Sequence, residues 1–287
     1  MRYLAAQSVA EAAKALAAEA GVTRILSGGT DVLVQLKAGM VEPDLIVDVK
    51  KLPGMREIRA EAGGFRVGAA VAGAELGEHK AFCAAWPGVA EGFQLIGSTQ
   101  VQGRATMAGN LCNASPAADS VPALVAGGVV ARIAGPDGER DLAVVDIPAG
   151  PGRTNLKKGE FITSFLFPAR AKGASDAYLR FIPRTEMDIA VSSAAVNLTI
   201  GADGKVSAAE VALGAVAPTV VRVPEAAKAI IGTKLDDAAL AAMAKACEAA
   251  CNPIDDKRGT IAFRTHTAGV LACRAAHIAY ERAGGKA

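Results

Sequence analysis

Ser27-Gly28-Gly29-Thr30-Asp31 and, much further along, Thr106-Met107-Ala108-Gly109-Asn110 are the two stretches whose reading decides the fold. Each follows an apolar segment and leads into another, and each offers consecutive small residues whose backbone N–H groups can crowd around a phosphate. A diphosphate has two charged groups to hold, so two such loops on one chain suggest a dinucleotide-type cofactor gripped from both sides. Gly28 and Gly29 permit unusual φ values and a close approach, and Thr30, Thr106 and Asn110 add side-chain hydrogen-bonding groups. The competing reading of Gly28-Gly29 is a tight turn without a ligand. The loop contains no G-x-G-x-x-G, and no Gly-Lys-Ser/Thr ends it, which disfavours the Rossmann and P-loop nucleotide folds.

The second loop runs on through Leu111-Cys112-Asn113-Ala114-Ser115-Pro116-Ala117-Ala118-Asp119-Ser120, rich in small polar side chains. Asp119 cannot sit against a diphosphate without like-charge repulsion. At a cofactor it would accept hydrogen bonds from hydroxyls, and its alternative role is to cap a helix starting at Ser120 or Val121.

Composition narrows the setting. The 287 residues, 51% hydrophobic, are enough for substantial cores in two or three compact units. The apolar content is alanine and valine spread along the chain, without a run of about 18 apolar residues that would span a membrane. Met1-Arg2-Tyr3-Leu4 leads directly into an alanine-rich helix and lacks the features of a secretory signal, so a cytoplasmic protein is expected. A net charge of +2 with no dense basic block argues against a nucleic-acid partner. Cys83, Cys112, Cys247, Cys251 and Cys273 are odd in number and lack CxxC spacing, so neither a disulfide framework nor an iron–sulfur cage is indicated. Cys247 and Cys251 could share a helix face as buried thiols, and His79, His266 and His277 stand at no ligand spacing to them.

The expected organisation is a small α/β unit followed by strands and helices. Ser8 with Glu11 signals a helix start, and the helix is expected to stop at Gly21. Residues 24–26 read as a strand before the first loop, 31–37 as a helix after it, and 44–49 as another strand. Residues 56–60 and 65–71 flank Gly63-Gly64 as a hairpin. The pattern is helical over 75–96, with a break at Pro87-Gly88. Residues 121–125 read as a helix, and 129–133 and 160–167 as strands. Lys, Gly and Ser accumulate at 169–175, where a domain boundary is expected. Two strands follow, over 194–200 and 205–213, joined by Gly201-Ala202-Asp203-Gly204. Helices are then expected over 224–231, 236–249 and 260–283.

Together these stretches resemble the FAD-binding medium subunit of the molybdenum hydroxylases, a family that includes xanthine dehydrogenases and aerobic carbon monoxide dehydrogenase. The resemblance is carried by residues 25–32, Ile96-Gly97, 106–110, the Ala114-Ser115-Pro116-Ala117-Ala118-Asp119 run, Arg180 to Ala190 (RFIPRTEMDIA) and Phe263-Arg264-Thr265-His266. It implies an α+β fold, with a two-subdomain FAD-binding domain of the vanillyl-alcohol-oxidase type followed by a small domain of antiparallel strands and a helix bundle. The implied bounds are 1–170 for the FAD-binding domain, with subdomains of about 1–53 and 54–170, and 176–284 for the C-terminal domain. Carried over residue by residue, the resemblance implies that Ile25, Leu26, Ser27, Gly28, Gly29, Thr30, Asp31 and Val32 bind the FAD diphosphate together with Thr106, Met107, Ala108, Gly109 and Asn110. Ile96 would pack near the flavin end, Asp119 would bond the ribityl region, and Ile162 and Arg180 would contact the cofactor from the far side.

Two departures matter. Where the family often has Gly-Gly-Asn this chain has Ala108-Gly109-Asn110, which is tolerable unless that position needs a positive φ. Thr30-Asp31 stands where carbon monoxide enzymes carry His-Ser, which argues for a relative acting on an organic substrate. The resemblance further implies a molybdenum-cofactor large subunit and a [2Fe-2S] small subunit as partners, assembled as a dimer of heterotrimers. The flavin would collect electrons from the clusters and pass them to an external acceptor: NAD, a quinone, a cytochrome or oxygen. No catalytic side chain and no metal are expected on this chain. The rival readings are a self-contained flavin oxidase and a cofactor-free scaffold subunit.

Overall fold

The computed structural model describes residues 1–286. The first subdomain is a three-stranded parallel sheet, in which β3 (Leu45–Asp48) lies between β1 (Arg2–Ala5) and β2 (Thr23–Leu26). Leu45, Ile46 and Val47 are all buried, the continuous apolar run expected of a central parallel strand covered on both faces. The start of the chain is therefore a strand, where the sequence pointed straight to a helix. With Arg2 paired to Leu45, Tyr3 to Ile46 and Leu4 to Val47, the partner that makes it a strand lies far away in the sequence.

Helix α1 (Val9–Ala18) crosses this sheet on Ala12, Ala13 and Leu16. Ser8 caps it by accepting the Glu11 N–H at 3.1 Å, while the Glu11 carboxylate takes the Gln7 N–H at 2.6 Å. The short helix α2 (Val32–Lys37) follows the first glycine loop and buries none of its residues.

The second subdomain is an antiparallel sheet of order β4-β5-β10-β6-β7, formed by β4 (Ile58–Glu61), β5 (Gly64–Gly68), β6 (Val130–Gly135), β7 (Gly138–Ala143) and β10 (Phe161–Phe167). A two-stranded ribbon, β8 (Pro148–Gly150) and β9 (Arg153–Thr154), lies beside it. The helical stretch read as one unit breaks into α3 (Gly73–Glu78), α4 (Lys80–Ala85) and α5 (Pro87–Gln94). The breaks are local chemistry. His79 Nδ1 accepts the Phe82 N–H at 3.1 Å to start α4, and Pro87, with no N–H to lose, opens α5. Phe82 and Trp86 pack edge-on against Phe167, with centroids 4.9 and 5.5 Å away. Three short helices, α6 (Thr99–Gln102), α7 (Met107–Cys112) and α8 (Ser120–Ala126), lead back to the sheet.

The C-terminal unit is an antiparallel sheet of order β11-β12-β13-β14, with β11 (Ala174–Phe181), β12 (Ser192–Ile200), β13 (Val206–Gly214) and β14 (Val221–Arg222). Helices α9 (Pro224–Ile230), α10 (Asp237–Ala249) and α11 (Ile261–Arg282) follow. Side chains alternate across a strand, and here both faces are covered. Tyr178, Ala195 and Ala212, aligned across three strands, join the core of the N-terminal half. Ala177, Val196 and Val211, one position along, join a second core with Met243, Leu271 and Ala275.

β11 is thus the seam between the halves. Its Asp176 accepts the Val89 N–H at 3.0 Å and pairs with Arg170 at 2.9 Å. The Arg170 guanidinium lies 4.0 Å above the Trp86 ring, and Arg282 pairs with Glu91. β11 begins at Ala174, two residues before the start expected for the second domain. Among the described residues no helix is long and apolar enough to cross a membrane.

If the sheet is packed on both faces, an added side chain has nowhere to go on the inner one. Ala195→Leu is expected to lower the unfolding free energy in urea by about 1–3 kcal/mol. A change under about 0.5 kcal/mol would contradict the described packing.

Candidate functional site

The two glycine stretches lie side by side. The first leaves the end of β2 and enters α2, with Gly29 at φ +83°. The second is not a loop throughout: Thr106 is the N-cap of α7, and residues 107–110 form its first turn. The Thr106 hydroxyl accepts the Gly109 N–H at 3.1 Å and donates to Ser27 Oγ at 3.2 Å, both oxygens being buried with their residues. Gly28 presses on the backbone just before that cap. A Cβ at Gly28 would stand 1.9 Å from the Arg104 carbonyl oxygen. Asn113 donates to the Asp31 carboxylate at 3.2 Å, a second bridge between the stretches, which turns Asp31 toward α7. Partial burial raises the Asp31 pKa.

What the contact leaves free is the donor set. Among the described residues, the N–H groups of Gly28, Gly29, Thr30 and Asp31 bond to no acceptor in the chain, nor does that of Ala108 in the first turn of α7, whereas the Met107 N–H faces Val71 across the bridge between Ala72 and Thr106. Unpaired backbone donors on both stretches, held together by side chains that are themselves satisfied, form an anion cradle. Ala108 fits it. The residue is helical rather than positive in φ, so the methyl group it adds relative to glycine strains nothing.

The side chains expected to bind are partly used inside the protein. Asn110 Oδ1 accepts from the Ser120 hydroxyl at 2.6 Å and from its N–H at 3.3 Å, tying α7 to the start of α8 and leaving the Asn110 amide nitrogen for a ligand. Asp119 stands at the N-cap position of α8, yet its side chain makes no cap. It accepts instead from Tyr178 Oη at 2.8 Å and Arg180 Nη1 at 2.5 Å, both across the domain seam. Burial pushes the Asp119 carboxyl up to about 6, against the pull of Arg180 and Tyr178. The Arg180 side chain is 4% exposed, and its Nε is buried without a partner.

Ile25 and Leu26 end β2, and Val32 opens α2. Ile96 follows α5, half-buried against the core and next to Gly97 at φ +61°. Ile162 faces Ile133 at a bulge of β10 and is 3% exposed, part of the sheet's core. Tyr178 has no place among the residues expected from sequence. Its signal was the i, i+2 spacing to Arg180, legible only once 174–181 is recognised as a strand.

Elsewhere the chain offers little chemistry. Burial pushes the Cys112 and Cys247 thiols up to about 12, so neither is a ready thiolate. No group of three potential metal ligands exists among the described residues.

Two glycine stretches from two subdomains, held together with backbone donors left over, define a fold suited to a diphosphate-bearing cofactor. The family described as the FAD binding domain in molybdopterin dehydrogenase matches residues 1–170, and the CO dehydrogenase flavoprotein C-terminal domain matches 177–279. The carbon monoxide dehydrogenase medium chain of Afipia carboxidovorans is 31% identical, over 98% of this chain and 97% of that one. The xanthine dehydrogenase FAD-binding subunit of Escherichia coli is 29% identical, over 99% and 97%. The structure of reconstituted CO dehydrogenase from Oligotropha carboxidovorans superposes with a TM-score of 0.93 at 31% identity, covering 98% of each chain. This chain belongs to the FAD-binding subunits of the molybdopterin dehydrogenases. It is an oxidoreductase flavoprotein, the medium subunit of a molybdenum hydroxylase, and its cofactor is FAD. The unpaired donors of both glycine stretches and the orphaned Arg180 Nε suit that cofactor's charged and polar groups.

The Asp119 carboxyl supplies a pH test. Its folded-state pKa lies above the ordinary 3.8, so the folded chain holds this proton more tightly than the unfolded chain does. That contribution to stability is full below about pH 4 and is lost as the pH rises through about 6. In urea unfolding of the FAD-free chain, wild type is expected to gain on Asp119→Asn by up to about 3 kcal/mol between pH 7 and pH 4. A difference that is constant with pH would contradict the burial of this carboxylate.

Proposed function

We propose that residues 25–32 and 106–110 clasp the FAD diphosphate between the two subdomains, and that the chain is the electron-output subunit of its complex. The observation that carries this is the paired donor set: Gly28 to Asp31 and Ala108 present free N–H groups on stretches locked together through Ser27 and Thr106. A buried contact that joins two subdomains and leaves backbone donors over on both stretches is what a diphosphate requires.

Around that grip, Asn110 offers its amide nitrogen, Ile96 lies near the flavin end, and Asp119 and Arg180 meet the polar middle of the cofactor from the C-terminal side. Ile162 supports the site from within the sheet. Asp31, bonded to Asn113, keeps its charge off the phosphates. Bound here, FAD supplies two-electron storage that can be filled one electron at a time, between iron–sulfur clusters and an external acceptor. The protein's own part is to bind, orient and tune; no side chain of this chain acts as acid or base on the organic substrate. The molybdenum-cofactor large subunit and the [2Fe-2S] small subunit are the partners, in a dimer of heterotrimers, and NAD, a quinone, a cytochrome or oxygen takes the electrons. The five cysteines are free thiols, which fits a reducing compartment such as the cytoplasm.

A self-contained oxidase would need a surface for its substrate beside the flavin. The C-terminal sheet has one face on the core of the FAD-binding half and the other on α9–α11, leaving no open sheet face for that role.

Gly28→Val and Gly29→Val test the grip. The first drives a side chain into the Arg104 carbonyl, and the second forces a branched residue into positive φ. Each is expected to strip the visible flavin spectrum from the purified chain while the fold survives by circular dichroism. Full FAD content in both variants would sink the assignment.

A further inference from the structure

Tyr178 is a buried tyrosine whose hydroxyl points across the domain seam at a carboxylate. It is 1% exposed, with its ring in the core of the FAD-binding half and its Oη donating to Asp119 Oδ1 at 2.8 Å. The other oxygen of Asp119 takes Arg180 Nη1 at 2.5 Å. Tyr178 and Arg180 are two apart on β11 and so lie on one face, which makes the Asp119 carboxylate the third corner of a closed triangle.

The backbone of that corner is fixed as well. Gly92 of α5 lies so near that a Cβ would stand 2.9 Å from the Asp119 carbonyl oxygen. Arg180 and Tyr178 are the charged and titratable groups that reach the Asp119 carboxylate. α5 offers Gly92 and, on the backbone side of β11, Glu91, whose carboxylate accepts the Tyr178 N–H at 3.2 Å; α7 offers Asn110, and the Ser193 hydroxyl of β12 lies against the Tyr178 phenol. Arg180 keeps one unpartnered buried donor, Nε.

We propose that Tyr178 is a positioning residue for FAD: its hydrogen bond holds the Asp119 carboxylate ionised and in one orientation, and thereby presents the Asp119–Arg180 pair to the cofactor ready-formed. This rests on the assignment of Asp119 and Arg180 to the cofactor site. The physical reason is preorganisation. A buried carboxylate with both oxygens satisfied loses no orientational freedom when the ligand arrives, whereas one missing a donor must find another or take up a proton.

The test is an FAD titration of the full-length chain freed of cofactor, comparing wild type, Tyr178→Phe, Asp119→Asn and the double variant. Tyr178→Phe keeps the ring and its packing, so its cofactor-free melting stays cooperative while Kd rises about tenfold, the order of one charged hydrogen bond. In the Asp119→Asn background the same change is expected to alter Kd less than about twofold. The pH at which FAD affinity begins to fall should also move upward in Tyr178→Phe, because Asp119 then keeps only Arg180.

Wild-type affinity in Tyr178→Phe, or an equal loss in both backgrounds with an unmoved pH profile, overturns the inference and makes Tyr178 a packing residue. Should Tyr178→Phe not fold, Tyr178→Met, which also removes the hydroxyl and keeps an apolar side chain, takes its place in the same comparison with Asp119→Asn, with the same loss expected and an unchanged Kd contradicting the proposal. A wild-type chain that takes up no FAD overturns the site assignment itself, a result distinct from all of these.

Discussion

Gly28 has no side chain because the carbonyl of Arg104 occupies the place where one would be. That backbone-to-backbone contact, closed by the Ser27–Thr106 hydrogen bond, sets the distance between a parallel three-stranded unit and an antiparallel five-stranded one. Everything proposed for the cofactor depends on it. If the two stretches were an ångström or two further apart, their free N–H groups would address two separate anions. Held together, they address one diphosphate. The side chains nearest the grip are engaged in building it: Thr106 caps α7, Asn110 joins α7 to α8, and Asn113 holds Asp31. The diphosphate is left chiefly to the backbone, which explains why small residues suffice there and why alanine at position 108 is harmless.

The second dependence runs through β11. Its alternation sends Asp176, Tyr178 and Arg180 toward the FAD-binding half, and Ala177 and Leu179 toward the C-terminal helices. Two buried arginine–carboxylate pairs therefore lie on one strand face, Asp176 with Arg170 and Asp119 with Arg180. Burial pushes both carboxyls up to about 6, and their partners pull the other way. Buried pairs of this kind are poor sources of net stability and good sources of fixed geometry. Here the geometry is the register of one domain on the other, and through Arg180 it reaches the edge of the site.

Much of this was legible in the sequence where the information is local. The hairpin at Gly201-Ala202-Asp203-Gly204, the helix stop at Ala249 and the capped start at Ser8 are matters of neighbouring residues, and they stand as read. What was not legible depends on distant partners. Residues 2–5 become a strand only because Leu45 to Asp48 lie alongside, and the boundary expected at 169–175 overlaps the start of β11, because Lys, Gly and Ser there hide a strand whose partner is β12. The same holds within the site. Thr106 and Asn110 stand out in the sequence as polar groups in an apolar setting, but their engagement with Ser27 and Ser120 is a tertiary fact. Asp119 offered two local readings, cap or ligand contact, and its observed partners come from sixty residues on, roughly, where no spacing rule reaches.

The central claim is that one diphosphate is held by backbone N–H groups from both stretches at once. Amide hydrogen exchange of the full-length chain with and without FAD reads those groups directly. The account expects FAD to slow exchange at Gly28, Gly29, Thr30 and Asp31 together with Ala108, with both stretches protected in parallel as the cofactor is titrated. Bound FAD that protects one stretch and leaves the other exchanging as in the free chain would contradict it.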